Sequence, residues 1–416
     1  MQRDIIANII ISQKTIRLVV LEKLLSNKIV EIFNGQDKIE NDFIFLNSSL
    51  DKVKKIIGGD IKNIYFTLDS YEDIKDKVVH GSEWLNLSSG RVSQYDVNQI
   101  IELAKINNNN SLSDEVVVNV QPFLFTLESD MDITKRYDVA PIGKKGQKLF
   151  IDFSITTISK KAYHDLIKIS KTHSLEIKNI FMGYQTLSYS HISKPARRNL
   201  SSLLNISDDA IFWTIVKNDS VLICKKILDF GKNYILKQIS DKYNISSEVL
   251  WKALIANANF INNSDLVINM NEHGIKEMVT TEKLVFELKE IFLKVFNVYK
   301  LSIGNHLNGV DEKFPIILSG NFVEMSGFGK WTKEILVHEN TYIYQPLTFI
   351  EGNKNNLETL GIIEFMERSN EILGIKYDTL IETNRNTMES LIGTQLSQKG
   401  IMKRVKNWIG DKYGWQ

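Results

Sequence analysis

The chain has 416 residues, a formal net charge of +1 and a single cysteine, Cys224. Such a length allows about two to four domains and a sizeable buried core. The near-zero charge excludes a general electrostatic attraction to nucleic acid or to membranes, so any such binding must come from a local patch. One cysteine excludes an intrachain disulfide and a cysteine-rich zinc site, and it fits a reducing cytosol.

The N-terminal segment has one short apolar run, which Gln13, Lys14 and Arg17 interrupt. That run is too short and too polar for a signal peptide or a membrane-spanning helix. No other stretch approaches the roughly 18 apolar residues that a spanning helix needs. We therefore expect a protein that does not cross a membrane.

Short apolar runs rich in β-branched residues predict β-strands in hairpin order at the start of the chain. A helix is predicted over SQYDVNQIIELAKI, where Ser93 is the N-cap and Val97, Ile100 and Ala104 share one face. The other predicted elements of the first half are the strands IKNIYFTLDS, EVVVNVQPFLFTLES and KLFIDFSITTIS, the polar loop NNNNSLSD and the helix KKAYHDLIKISKTHSL.

The second half predicts two strands around an Asn218-Asp219 turn, within DDAIFWTIVKNDSVLICKKILDFG. Helices are expected to dominate from Tyr234 to Ile303. FPIILSGNFVEMSGFGKWTKEIL follows as a strand, a glycine-bearing loop and a helix. The polar, poorly periodic segment 386–400 predicts a linker. The body is therefore a mixed α/β protein, and the linker separates it from a short tail.

The tail forms an amphipathic pattern when residues 401–413 are placed on a helix. Its apolar arc spans about 120° and is flanked by cations, with five Lys or Arg against one Asp from residue 399 to the end. A basic polar face with Trp on the apolar side is typical of a helix that lies in a membrane interface. The alternative is a helix docked on the protein's own core. The predicted membrane-binding residues are Ile401, Met402, Lys403, Arg404, Val405, Lys406, Trp408 and Ile409.

Other candidate chemistry is weak. The seven histidines show neither an H-x-x-H nor an H-E-x-x-H spacing, so no metal site is expected. Cys224 lies in a strand pattern and is interpreted as a core residue. The basic cluster SKPARRN at 193–199 is interpreted as a solvated loop, with a contact to a neighbouring subunit as the alternative. Asp208 and Asp209 are interpreted as a solvated turn or as the N-terminal flank of the following strand.

The order of these stretches resembles the bacterial cell-division actin homologue FtsA over nearly the whole chain. IIISQKT matches the family's first phosphate loop at Ser12 and Lys14, and VSQYDVNQIIELAK resembles the helix of its inserted subdomain. FPIILSGNFVEMSGFG resembles the adenosine loop of the actin superfamily. IMKRVKNWIGDKYG resembles the family's membrane-targeting helix, which also follows a linker at the chain end. The remaining similar stretches are VVVNVQPFLF, LEIKNIFMGYQTLSYS and LDFGKNYILKQISDKYNIS.

The nucleotide loops depart from the family. Ile9 and Ile11 replace an acidic residue and a glycine, and LNISDDAIFW replaces a glycine-rich phosphate loop. Isoleucine side chains obstruct the close approach of backbone to phosphate, and adjacent carboxylates repel phosphate oxygens. The resemblance implies ATP with Mg²⁺ as cofactor, whereas the altered loops weaken the case for ATP binding and predict a pseudo-ATPase. The vestigial nucleotide site would comprise Ser12, Gln13, Lys14, Gly320 and Asn321. The simpler interpretation of these residues is that they form turns and caps.

The resemblance implies an α/β actin-like fold of the actin, Hsp70 and sugar-kinase superfold, with two lobes and an FtsA-type inserted subdomain. The expected divisions are a lobe 1 core at 1–70 and 154–203, an inserted subdomain at 71–153, a lobe 2 core at 204–240 and 302–385, an upper lobe 2 at 241–301, the linker at 386–400 and the tail helix at 401–416.

The function implied by the resemblance is that of a cell-division scaffold. Such a protein would polymerise head to tail through its inserted subdomain, bind the FtsZ C-terminal peptide on the upper part of lobe 2, and attach the filaments to anionic lipids on the inner face of the membrane at the division site. No nucleic acid partner is expected. The alternatives are an ATPase or kinase of the same superfold, which requires intact phosphate loops, and a cytosolic adaptor whose tail is docked.

Overall fold

The computed structural model describes eleven stretches of the chain, all within residues 4–373. The predicted linker at 386–400 and the predicted membrane-binding helix at 401–416 lie outside the described residues. The described residues are 4–24, 28–69, 78–129, 134–228, 230–261, 267–272, 275–306, 314–336, 341–343, 350–351 and 356–373.

Seventeen strands and ten α-helices are present in the described part of the chain. The strands are β1 (Asp4–Ile11), β2 (Thr15–Lys23), β3 (Ile29–Lys38), β4 (Asn63–Leu68), β5 (Val78–Asn86), β6 (Glu115–Glu128), β7 (Thr134–Tyr137), β8 (Lys148–Ser159), β9 (Glu176–Met182), β10 (Ser201–Ile206), β11 (Ala210–Lys217), β12 (Ser220–Leu228), β13 (Val267–Glu272), β14 (Ile275–Thr280), β15 (Ile316–Gly320), β16 (Thr341–Ile343) and β17 (Ile350–Glu351). The helices are α1 (Asp42–Ile57), α2 (Gln94–Asn110), α3 (Lys160–Thr172), α4 (Gly183–His191), α5 (Lys194–Arg198), α6 (Lys232–Tyr243), α7 (Ser247–Asn257), α8 (Thr281–His306), α9 (Phe328–Leu336) and α10 (Leu357–Ile372).

The first sheet contains six strands in the order β17-β3-β2-β1-β4-β9. Strand β1 runs antiparallel to β2 and parallel to β4, and Ile11 at its end lies opposite Leu68. Every residue from Ile6 to Ile11 is buried, including the polar Asn8. A strand that is buried on both faces reads as a continuous apolar run, as IIANIII does.

The second sheet contains five strands in the order β12-β11-β10-β15-β16 and repeats the plan of the first. Strand β10 runs antiparallel to β11 and parallel to β15, and Ile206 at its end lies opposite Gly320. The turn between β11 and β12 is at Asn218 and Asp219 as predicted, and both residues have positive φ angles (52° and 58°). Positive φ at both central residues is the geometry of the tight hairpin turn that Asn and Asp favour.

A third sheet of four strands, β5-β8-β6-β7, lies in sequence between β4 and α3. Helix α2 packs on it, with Val97, Ile100 and Ala104 buried against Phe125 and other apolar residues of the sheet. The predicted N-cap is confirmed. The Ser93 hydroxyl accepts from the Asp96 backbone N–H, and the Asp96 carboxylate accepts from the Ser93 backbone N–H, which forms a capping box.

Helices dominate from Tyr234 to Ile303 as predicted, in α6, α7 and α8, but the range also contains a hairpin that was not predicted. Strands β13 and β14 pair as an antiparallel hairpin between α7 and α8. Short β-branched stretches flank the polar segment NEHG there, and this pattern is typical of a hairpin. Helix α8 follows and buries Leu288, Phe292 and Phe296 in the core of the second sheet, as its apolar face predicts.

The two larger sheets share one apolar core. Ile9 and Leu18 from the first sheet, Phe212 and Val221 from the second, and Leu187 of α4 belong to it. Cys224, the one cysteine of the sequence, also lies buried in this core. Burial of apolar area on this scale is the main term that stabilises the pair of sheets.

Helix α10 covers the opposite face of the first sheet. Ile362 and Phe365 pack against Ile6, Val19 and Phe181, and the rings of Phe365 and Phe181 meet edge to face at 5.0 Å. The last residues of α10 reach the four-stranded sheet, because Ile372 lies in its apolar core.

The basic cluster at 193–199 is mostly exposed, as the sequence interpretation expected, but it is not a loop and one of its arginines is buried. It forms helix α5, and Arg197 is only 1% exposed. The Arg197 Nε donates to Asp219 Oδ1 at 3.2 Å, and Arg368 Nε of α10 donates to Asp219 Oδ2 at 2.6 Å. A buried arginine requires such a partner, because an unpaired buried charge is very costly.

Candidate functional site

A cavity of about 960 Å³ opens between the two larger sheets, and we call it the cleft. It is lined by the first hairpin (residues 11–15, joining β1 to β2) and by the second hairpin (residues 206–210, joining β10 to β11). Polar residues of both hairpins, of the ends of β4 and β15, and of the start of α10 face it. A concave site of this size with convergent polar groups is the usual form of a ligand site.

The first hairpin is closed by a serine. The backbone N–H of Ser12 donates to the Thr15 carbonyl at 2.9 Å, and the Thr15 N–H donates to Ser12 Oγ at 3.1 Å. The Ser12 hydroxyl is therefore committed to the turn, as serine hydroxyls in such turns commonly are. Lys14 at the tip is exposed and lines the cleft.

The second hairpin repeats this geometry. The Ser207 N–H donates to the Ala210 carbonyl at 2.9 Å, and the Ala210 N–H donates to Ser207 Oγ at 3.1 Å. Gln13 and Lys14 form the tip of the first hairpin, whereas Asp208 and Asp209 form the tip of the second. The two walls therefore share one backbone design, but their tips differ in charge.

Gly320 lets the loop after β15 approach the second hairpin closely. Its φ is +90°, and a Cβ at this position would lie 2.2 Å from the Ile206 carbonyl oxygen. The next residue, Asn321, donates its backbone N–H to the same carbonyl at 2.7 Å. Only glycine meets both the conformational and the steric requirement here.

Helix α6 begins directly beneath the second hairpin. The N–H groups of Lys232 and Asn233 donate to the carbonyls of Ser207 and Asp208 at 2.9 and 2.8 Å. Gly231 precedes them, and a Cβ there would lie 2.4 Å from the Asp208 carbonyl oxygen. Two backbone bonds therefore fix the hairpin on the helix start, and they satisfy N–H groups that would otherwise lack partners within the helix.

The two aspartates of the second hairpin lie in a turn, and Asp208 is exposed, as the sequence interpretation expected, but both carboxylates have partners. Asp208 Oδ1 accepts from Lys232 Nζ at 2.6 Å and from Asn321 Nδ2 at 3.1 Å. Asp209 Oδ1 accepts from Asn233 Nδ2 at 3.0 Å. Both carboxylates are therefore held by groups of α6 and of the loop after β15.

Asp69 is a buried acid of the cleft at the end of β4. Its backbone N–H donates to the Ile11 carbonyl at 2.8 Å, as that of Asn321 does to Ile206 in the second sheet. Its Oδ1 is buried and has no hydrogen-bond partner among the described residues. Burial, and then the charge of Glu358, raise the pKa of Asp69 to about 7. Glu358 itself pairs with Arg17 at 2.7 Å.

The lining side chains of the cleft are predominantly acidic. Five carboxylates, those of Asp69, Asp208, Asp209, Glu324 and Glu358, stand against the two cations Lys14 and Arg17. His191 also lines the cleft, and burial lowers its pKa to about 4, so it is neutral at pH 7. The cleft as a whole therefore favours cations over polyanions.

The structure brings together four of the five predicted nucleotide-site residues. Ser12, Lys14, Gly320 and Asn321 line the cleft, whereas Gln13 is in the first hairpin but does not line it. The sequence analysis missed Asp69, Lys232 and Glu358. The stretch LDS at the end of a predicted strand could have indicated the first of these, because acids at strand ends often face clefts.

Two negative findings concern the described residues alone. No group of three or more His, Cys, Asp or Glu side chains in them is placed to hold a metal ion. Among the helices described, none combines the length and the apolar character needed to cross a membrane.

Comparison with known proteins identifies the fold. No protein-family model matches the chain, and no curated protein matches its sequence. The chain is similar to a solved structure of the PilM-PilN type IV pilus biogenesis complex, with a TM-score of 0.53 and 8% identity over 88% of this chain and 98% of that chain. It is also similar to MreB 5 of Spiroplasma citri bound to AMPPNP, with a TM-score of 0.50 and 10% identity over 88% of this chain and 97% of that chain. The predicted α/β actin-like fold is thereby confirmed, and identity this low carries the fold alone.

Proposed function

We propose that this protein is a scaffold of the FtsA type, which assembles into filaments and attaches them to the inner face of the cell membrane. The observation that carries the proposal is the basic amphipathic pattern of residues 401–416, joined by a polar linker to an actin-like body. Filament formation is the activity that this proposal assigns to the body, and membrane attachment is the activity that it assigns to the tail.

The energetics of the tail favour attachment by many copies together. Each Lys or Arg near an anionic leaflet contributes about 1 kcal/mol, and burial of Trp408 and Ile409 adds an apolar term. One short helix of this kind binds reversibly. A filament presents many tails at once, and effective concentration then raises the overall affinity by orders of magnitude.

The partner proposed for the upper part of the second lobe is the FtsZ C-terminal peptide. Apolar side chains are exposed there, with Phe286 and Val298 of α8 59% and 51% exposed and Ile261 also exposed. Exposed apolar residues of this size commonly mark protein contacts. Binding of FtsZ filaments on one side and lipid on the other would place the protein at the division site.

We further propose that the protein does not hydrolyse ATP. A triphosphate fits the cleft poorly, because Asp208 and Asp209 occupy the tip of the second hairpin and five carboxylates line the walls. The AMPPNP-bound MreB 5 neighbour supports nucleotide binding as a capacity of the fold. In this chain, however, the side chains that face the cleft favour neither the phosphates nor catalysis. An ATPase or kinase function is therefore the weaker alternative.

Liposome co-sedimentation tests the membrane proposal. Vesicles containing an anionic lipid should pellet the full chain, whereas a chain ending at Ser397 should remain in the supernatant. The double variant Lys403→Glu/Lys406→Glu should lose most of the binding. The matched control is Lys52→Glu/Lys55→Glu, which changes the same charge on exposed positions of α1 and should bind normally.

Two results would contradict the proposal. The full chain and the truncated chain could remain soluble together at concentrations where they self-assemble, which would support a cytosolic adaptor with a docked tail. The control variant could also lose binding as strongly as the tail variant, which would mean that membrane association follows net charge rather than the tail.

A further inference from the structure

Lys232 at the start of α6 is held beside the second hairpin by two different groups. Its Nζ lies 2.6 Å from Asp208 Oδ1 and 5.2 Å from the centre of the Trp251 ring. Its side chain is 20% exposed, against 59% for that of Asp208. An ammonium that combines an ion pair with a cation–π contact is fixed more firmly than an exposed surface lysine, whose pairs contribute little.

Asn321 completes the environment of the same carboxylate oxygen. Its side-chain Nδ2 donates to Asp208 Oδ1 at 3.1 Å and also approaches the Ile206 carbonyl at 3.2 Å. Its backbone N–H is already used by that carbonyl. A lysine ammonium and an asparagine amide therefore converge on one anionic oxygen, and such converging donors are what a protein uses to bind a phosphate oxygen.

The position of the carboxylate is set by backbone contacts. The N–H groups of Lys232 and Asn233 fix the hairpin from below, and Gly231 and Gly320 allow the close approach on its two sides. The backbone that carries Asp208 is therefore already positioned for the side chain to accept from Lys232 and Asn321. Pre-organised donors and acceptors of this kind lose little entropy when they pair.

We infer that Lys232 and Asn321 form an anion-binding site for a phosphate-type group, and that the chain occupies this site with its own Asp208 carboxylate. The resident carboxylate neutralises the Lys232 ammonium and accepts from the Asn321 amide, so a free phosphate has to compete with it for these two donors. The same contacts join the hairpin, α6, α7 and the loop after β15. This wall of the cleft is therefore organised without a bound ligand. The inference rests on the proposed scaffold function and extends it. If Asp208 takes the place of a phosphate, the second lobe is ordered without a bound nucleotide.

Removal of the carboxylate should expose the site. Inorganic pyrophosphate without divalent metal is the probe, and binding is measured by titration calorimetry. Wild-type protein should show no saturable binding below about 1 mM, and Asp208→Ala should bind at least about tenfold more tightly than wild type. The double variant Asp208→Ala/Lys232→Ala should lose the gain. The matched control Asp209→Ala frees only the neutral Asn233 and should gain nothing.

The inference is overturned if wild type binds pyrophosphate as tightly as Asp208→Ala does, or if the folded Asp208→Ala variant shows no gain. It is also overturned if the double variant keeps the gain, because the anion would then bind elsewhere. Asp208→Gly, which also removes the carboxylate that occupies the site, replaces the alanine variant if circular dichroism shows that the latter is unfolded. Liposome binding by wild-type protein is a separate readout, so failure of the membrane proposal is distinguishable from failure of this one.

Discussion

Asp69 is the residue whose ionisation the cleft alters most clearly. Its carboxyl group is enclosed beneath Gly183, with Oδ1 2.7 Å from where a Cβ at that glycine would be. It faces Glu358 and Asp209 as like charges and Arg17 and Lys226 as opposite charges. Burial outweighs the two cations, so the pKa of Asp69 rises from 3.8 to about 7.

Replacement of Asp69 by Asn should change how stability depends on pH. In the wild type, the folded state holds the Asp69 proton up to about pH 7, whereas the unfolded chain releases it near 3.8. The stability contributed by the protonated group is complete below the unfolded pKa and is lost as pH rises through the folded pKa. Asp69→Asn has no such loss. Its free energy of unfolding relative to wild type should therefore rise from pH 4 to 7 by up to about 4 kcal/mol and then stay constant.

Urea unfolding of the two proteins at several pH values between 4 and 8 measures this difference. Asp165→Asn, a change at an exposed residue of α3, is the control. A difference between Asp69→Asn and wild type that stays the same at every pH would show that the Asp69 carboxyl group is not enclosed as described.

The second hairpin is the element on which the candidate site depends most. The loop after β15 packs on the base of this hairpin through Gly320, whose positive φ and close contact with Ile206 allow no side chain. Gly320→Ala should therefore lower the free energy of unfolding by at least about 2 kcal/mol, through steric overlap and backbone strain. Gly59→Ala is the matched control, because a Cβ at Gly59 meets nothing within 4 Å. It should change stability by less than about 0.5 kcal/mol.

Thermal or urea unfolding of these two glycine variants gives the comparison directly. Equal stability of Gly320→Ala and Gly59→Ala would contradict the close approach of the loop after β15 to the second hairpin. The capped fold of the hairpin itself does not depend on this glycine, because Ser207 closes it independently.

The strands and the main helices of the body could be predicted from the sequence, because local patterns determine them. Continuous β-branched runs gave β1 and β2, and Ser93 three residues before Asp96 marked the start of α2. Helix α1 was not predicted, although its buried residues Phe45, Leu46, Ser49 and Val53 recur at helical spacing. The β13–β14 hairpin was missed because its strands lie among strongly helical neighbours.

The site was only partly predictable for a different reason. A strand–turn pattern in the sequence is enough to indicate the turns that contain Ser12, Lys14, Gly320 and Asn321. The pairing of Asp208 with Lys232 and Asn321 depends on contacts between residues 24 and 113 positions apart. No local spacing in the sequence specifies which charges meet across such distances, so the partners of the two aspartates were not predicted.

At the scale of the whole molecule, one buried charge cluster joins several parts of the body. The Asp219 carboxylate of the β11–β12 turn binds Arg197 of α5 and Arg368 of α10. Its carbonyl accepts from Gln121 of β6 and from the Tyr189 hydroxyl of α4, each at 2.5 Å. Charged groups buried together in this way must all keep their partners, so the sheets and α10 meet in one specific arrangement.

Under the proposed scaffold function, this arrangement would let a subunit repeat its shape along a filament without a nucleotide cycle. Asp208 pairs with Lys232 beside the cleft, and Asp219 pairs with Arg197 in the buried junction between the sheets. The expectation for the whole molecule is filament formation that needs the tail for membrane attachment and does not need ATP.

Electron microscopy on anionic lipid monolayers tests this central claim most directly. Full-length protein, applied without nucleotide or divalent metal, should form filaments on the lipid, and a chain ending at Ser397 should leave the lipid bare. Filaments that appear only after ATP and Mg²⁺ are added would contradict the nucleotide-independent assembly. A truncated chain that covers the monolayer as densely as the full chain would contradict the role of the tail.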